Sequence, residues 1–202
     1  MFGWFKKKQA VPAATLGPAA WRDDPHLRGR FHADYPDDLE VLVHDGEPRR
    51  TGRQNERCWV RVTGASPGPT RRMIFNQQAS PLSADAFRQT YESTSMLVFK
   101  GSLLNAPVQL STIRQGDELF FIAGAGLELP LRVTPQYIEE RAAWSVQPCA
   151  NCGLGEGLDP PSVMARTRFP AEQGAVELFT SFCPRGCKDQ QLLFSKDRSA
   201  AD

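Results

Sequence analysis

Four of the five cysteines in this 202-residue chain fall into two close pairs, Cys149-Ala-Asn-Cys152-Gly153 and, about thirty residues on, Cys183-Pro-Arg-Gly-Cys187. Two short-spaced pairs of thiolates suit a tetrahedral Zn2+, because a tight turn aims both sulfurs of a pair at one ion about 2.3 Å away. Gly153 and Gly186 stand where such turns need a permissive backbone. Four thiolates leave no position for water, so the zinc expected of Cys149, Cys152, Cys183 and Cys187 is structural rather than hydrolytic. Two alternatives stay open. One is a redox pair, for which the sequence offers no thioredoxin-like βαβ setting; the other is four thiols that pack without metal. Cys58 opens a predicted strand and reads as a small core residue.

The three histidines are His26, His32 and His44. His32 lies near Asp34, Asp37 and Asp38, and His44 adjoins Asp45, so a carboxylate-oriented general base and a hydrolase reading can be drawn around His32 and His44. Solvated turns and strand ends explain the same residues. There is no GxSxG, HExxH or Walker loop, and no GxGxxG after a strand.

Charge is distributed unevenly. The total is +1, from 24 basic and 23 acidic residues, which excludes a uniformly basic polyanion binder. Asp34 to Glu47 nevertheless holds six acidic residues and no Lys or Arg, and Arg49 to Arg72 holds seven arginines against Glu56 alone. If the strands in these blocks pair antiparallel, much of the charge is neutralised across the pair. If they face apart, Arg49, Arg50, Arg53, Arg71 and Arg72 with Trp59 and Phe75 form a surface for nucleic acid or an acidic protein.

The elements that must position these groups are mostly strands. Hydrophobic residues are 41% of the chain, enough for a real core, and no apolar run approaches a membrane span of about 20 residues. Leu39–Val43, Cys58–Thr63, Met96–Leu104, Glu118–Ile122 and Leu129–Val133 are short β-branched or aromatic runs separated by turn residues. They predict a mainly β (α+β) fold, a curled five-stranded antiparallel sheet or small barrel. Thr134 as N-cap and Pro135 at the first helical position predict a helix to Trp144. This gives a flexible tail over 1–20, a β domain over 21–134 with an insertion at 65–95, a connecting helix over 135–147, and a zinc-ribbon-like module over 148–195. Within the insertion, Ser80 or Ser83 could cap a short helix reaching Glu92, with Phe87 and Tyr91 on one face. Residues Met1 to Lys8 put aromatics before positive charge, the reverse of a secretory signal, so a cytoplasmic protein is expected. Phe2, Trp4 and Phe5 beside Lys6–Lys8 read as part of a frayed tail.

The strings Phe31-His-Ala-Asp-Tyr-Pro-Asp-Asp-Leu-Glu-Val-Leu-Val-His-Asp-Gly46, Cys58-Trp-Val-Arg-Val62, Gly101-Ser-Leu-Leu-Asn-Ala-Pro107, Gln115-Gly-Asp117, Pro130-Leu-Arg-Val-Thr134 and Pro148-Cys-Ala-Asn-Cys-Gly153 resemble a family of uncharacterised bacterial cytosolic proteins. That family carries no established activity. The sheet with its W-V-x-V string is also similar to domains of bacterial immunity proteins. The leading expectation is a non-enzymatic protein that occludes a partner, an immunity or antitoxin-like factor whose partner is a toxin. The alternative is a nucleic-acid-associated zinc-ribbon protein.

Overall fold

The computed structural model describes residues 19–78, 87–124, 126–172, 174 and 176–195, with side chains placed for all of these except 71, 72, 74–78, 87–94 and 194. The tail expected over 1–20 lies outside the described residues except for Ala19 and Ala20. Those two lead into a 3-10 turn, Ala20–Asp23, that brings Trp21 onto the core.

Five strands curl into the predicted barrel. β1 (Asp38–Val43) pairs antiparallel with β2 (Glu56–Gln78), β2 with β3 (Phe87–Leu103), β3 with β4 (Glu118–Ile122), and β4 with β5 (Leu131–Val133). A single parallel contact, Leu42 opposite Leu131, closes β5 onto β1. Alternation decides what points inward: Leu39, Val41 and Val43 from β1, Cys58, Val60 and Val62 from β2, and Leu119 and Phe121 from β4 are all buried in one cluster. Phe99 and Phe121 stack there with centroids 5.4 Å apart. Cys58 is a core residue, as its place in the strand implied. Gly101 permits close strand approach, since a Cβ on it would lie 2.7 Å from the Arg61 carbonyl oxygen.

The stretch after Gly64 departs from expectation. β2 and β3 run on as one long hairpin, with register shifts at Val62/Gly64 and Pro67/Thr70 that bend it out of the barrel. The short helix expected up to Glu92 is corrected by this: 79–86 lie outside the described residues, and Phe87 to Glu92 are strand. Phe87 and Tyr91 stand four apart, and that spacing shares a face in a strand as well as in a helix, so the pattern could not separate the two.

The helix after β5 is α2 (Pro135–Arg141), following the short helix α1 (Pro48–Thr51) that connects β1 to β2. Thr134 Oγ1 accepts from Tyr137 N–H at 3.1 Å, the cap that its sequence implied. The helix stops three residues before the expected Trp144, which instead opens β6 (Trp144–Val146). Packing accounts for that: the indole is buried edge-on against Phe179, centroids 5.4 Å apart. β6 lies parallel to the outer part of β2, at Arg72 and Met73, and antiparallel to β8 (Gln190–Ser195), which pairs with β7 (Leu178–Phe182). The barrel and the C-terminal strands therefore share one eight-stranded sheet, β1-β5-β4-β3-β2-β6-β8-β7. α3 (Pro161–Arg168) covers its last three strands through Met164 and Ala165.

Candidate metal centre

The two cysteine pairs sit on two turns. In the first, Gly153 N–H donates to Cys149 C=O at 2.8 Å, and in the second, Gly186 N–H donates to Cys183 C=O at 3.0 Å. Gly153 and Gly186 adopt φ of 73° and 74°, the left-handed region that favours glycine. Asp189 links the turns: its carboxylate accepts from Ala150 N–H at 2.6 Å and its carbonyl from Cys183 N–H at 2.8 Å.

The result is a convergence of sulfur. The Sγ atoms of Cys149, Cys152, Cys183 and Cys187 all lie within 4.8 Å of one another, and Cys152 and Cys183 are 3.7 Å apart. A tetrahedron with metal–sulfur bonds of about 2.3 Å has edges of roughly 3.8 Å, so this set fits a metal ion. All four are free thiols, and they close the coordination sphere between them. Burial pushes the Cys183 thiol up to about 12. At Cys152 burial also acts upward, but the Leu154 N–H and the neighbouring thiols outweigh it and draw the group below its ordinary value. A bound dication would deprotonate all four sulfurs.

Packing joins this centre to the barrel. Gly126, in the β4–β5 loop with φ of 79°, lies so close that a Cβ would stand 2.7 Å from Cys152 O and Leu154 N. Leu127 packs against both the cysteines and the barrel's outer cluster, and Arg185 Nη1 donates to Gly126 C=O at 2.9 Å. Beyond Leu154 the chain enters a buried polar network. Arg141 is fully buried and donates to Glu156 Oε2 at 2.9 Å, Trp144 C=O at 2.8 Å and Gly155 C=O at 3.1 Å. The Tyr137 hydroxyl donates to Glu156 and accepts from Gly157 N–H, and burial with the adjacent carboxylate holds this phenol protonated. The helix that carries Tyr137 and Arg141 is predicted from Thr134 and Pro135, but this network is not, because Glu156 carries no local pattern to mark it.

The arginines are mostly committed. Arg49 donates to Ser181 Oγ at 2.6 Å and to Phe182 C=O, Arg50 pairs with Glu47, and Arg53 stands 3.9 Å from Asp45. The side chains of Arg71, Arg72 and Phe75 lie outside the described residues. β1 and β2 do pair antiparallel, and Asp38 opposite Arg61 forms a bidentate pair at 2.7 and 2.8 Å. Among the described residues, Arg50–Glu47, Arg53–Asp45 and Arg61–Asp38 thus join the two neighbouring charge blocks. Glu56 caps the 104–117 loop by accepting from Val108, Gln109 and Leu110 N–H.

The histidines are not brought together as an acid–base pair. His44 is wholly buried; its Nδ1 accepts from Gly46 N–H at 3.1 Å, so Nε2 carries the hydrogen and donates to Arg132 C=O at 2.6 Å. Burial and the nearby Arg132 lower its pKa to about 4, and neither nitrogen is available to a substrate. His32 instead joins a surface aromatic group, its ring 5.1 Å from Tyr35 and 5.4 Å edge-on to Trp59. Tyr35 is 56% exposed and Trp59 36%. No protein-family model, curated protein or solved structure matches this chain. No helix among the described residues is long and apolar enough to cross a membrane.

Proposed function

We propose that the chain is a non-enzymatic, protein-binding protein of the immunity or antitoxin-like class, its C-terminal part held by a structural Zn2+ on Cys149, Cys152, Cys183 and Cys187. The observation that carries the reading is the exposed Tyr35–His32–Trp59 group on a barrel where Asp38 pairs with Arg61 and Glu47 with Arg50. Tyr and Trp with a nearby guanidinium, here Arg61, are the residue types that dominate protein–protein affinity. The thiolate set supports a structural role for the ion, since it leaves no position for water. Occlusion of a toxin in the cytoplasm is the specific form proposed.

The test is co-expression with a toxin encoded beside this chain. Wild-type protein restores growth and co-purifies with the toxin, whereas the Tyr35→Ser, Trp59→Ser double variant does neither while folding normally. A toxin left fully active by the wild-type chain overturns the proposal.

A further inference from the structure

β7 ends the sheet, and among the described residues nothing pairs with its outer side. Its ladder to β8 is bracketed by Ser195 N–H donating to Glu177 C=O and Cys183 N–H donating to Asp189 C=O, both at 2.8 Å. Alternation between these ends commits residues 179 and 181 to the ladder and turns the backbone groups of Leu178, Thr180 and Phe182 outward. Arg49 already caps the Phe182 carbonyl, which leaves Leu178 and Thr180 as open edge. Natural edges are blunted by Lys, Pro or inward charge, yet Leu178-Phe-Thr-Ser-Phe182 has none of these.

Beside this edge, on the side of α3, runs a groove of about 220 Å³ lined by the buried Met164 and Phe179 and by Arg49 and Arg168. It is smaller than the ~300 Å³ at which small-molecule sites begin, and has room for one or two side chains. Alternation turns the Leu178 and Phe182 side chains away from Phe179, where they are 44% and 54% exposed, and Phe182 also borders the groove. Arg168 is exposed and has no carboxylate partner among the described residues.

We propose that β7 takes an extended segment of a partner protein as an added strand, with alternate side chains entering the groove and covering Leu178 and Phe182, and with an Asp or Glu side chain meeting Arg168. The inference rests on the reading of the chain as protein-binding and names the chemistry of the partner segment. Strand addition draws affinity from main-chain hydrogen bonds and specificity from alternating pockets, both of which this edge provides. A second copy fits less well. Antiparallel self-pairing centred on Thr180 needs each Phe182 carbonyl to accept from the other copy's Leu178, where Arg49 already stands.

The test is selection of random octapeptides with amidated C termini on the full-length protein, read by sequencing and fluorescence anisotropy. Enriched peptides alternate apolar residues and carry an acidic one. Thr180→Pro removes an outward N–H without taking a bond from the β8 ladder and weakens binding at least tenfold. Arg168→Glu, a surface change that tests the proposal independently of folding at Thr180, does the same and loses the acidic preference. Trp59→Ser leaves peptide binding unchanged, which separates this groove from the aromatic group. No enrichment, equal binding by Thr180→Pro, or a concentration-dependent dimer abolished by Thr180→Pro would each overturn the proposal, the last by showing a second copy on the edge.

Discussion

Replacing Glu156 with Gln removes one charge from the buried network behind the metal centre and leaves the Arg141 guanidinium, fully buried, without a counter-ion. The loss can be sized from the contacts. Arg141 keeps its bonds to the Trp144 and Gly155 carbonyls, so desolvation of its charge is only partly offset. Breaking one side of a buried pair costs about 3–5 kcal/mol. For a chain of this size each kcal/mol moves the melting temperature by roughly 2–4 °C, so Glu156→Gln lowers it by about 6–20 °C. Removing both charges, as in Arg141→Met with Glu156→Leu, costs less than Glu156→Gln, because no unpaired ion remains. Calorimetry on the single and double variants measures the coupling. A Glu156→Gln protein melting within about 2 °C of wild type refutes the view that this pair ties α2 to the cysteine turns.

Further expectations concern other parts of the molecule. His44 is held neutral with its pKa lowered to about 4, so the unfolded chain takes up a proton first, and stability from this group, roughly 3 kcal/mol, is present above pH 6.5 and lost as pH falls toward 4. Asp159 acts in the opposite sense: burial raises it to about 6, so its contribution weakens as pH rises from about 4 to 6. The two slopes offset each other in the same interval, and Asp159→Asn steepens acid destabilisation between pH 6 and 4; an unchanged pH profile of denaturant midpoints contradicts this. Gly126→Val drives a side chain into Cys152 O and Leu154 N, and lowers both metal retention and melting temperature, while Gly116→Ala, at a turn with nothing within 4 Å, is milder. Arg61→Ala breaks a pair whose arginine side chain is 53% exposed, and shifts the urea midpoint less than Glu156→Gln does.

How far the sequence could be read follows from how local each signal was. The barrel strands were legible because inward residues alternate at period two, as Leu39, Val41 and Val43 do, and because turn residues separate the runs. The cysteine set was legible because each pair is a short spacing on one turn, and only the meeting of the two turns required the fold. α2 was visible at its start, where Thr134 and Pro135 act locally, and misjudged at its end, where the packing of Trp144 on Phe179 decides. The long hairpin was hidden by a spacing common to helix and strand. Arg49 read as a free cation and is instead a brace between α1 and β7, since its partners lie more than 130 residues away. Trp59 joins His32 and Tyr35 only through the pairing of β1 with β2, which the sequence leaves open.

The metal content of the purified chain decides whether the four thiolates hold an ion. Protein purified without added chelator is expected to carry one zinc ion per chain by elemental analysis. A strong chelator added at neutral pH releases that ion and lowers the melting temperature, and Cys152→Ser loses both ion and stability. Metal-free protein that melts at the same temperature with and without chelator contradicts the zinc assignment.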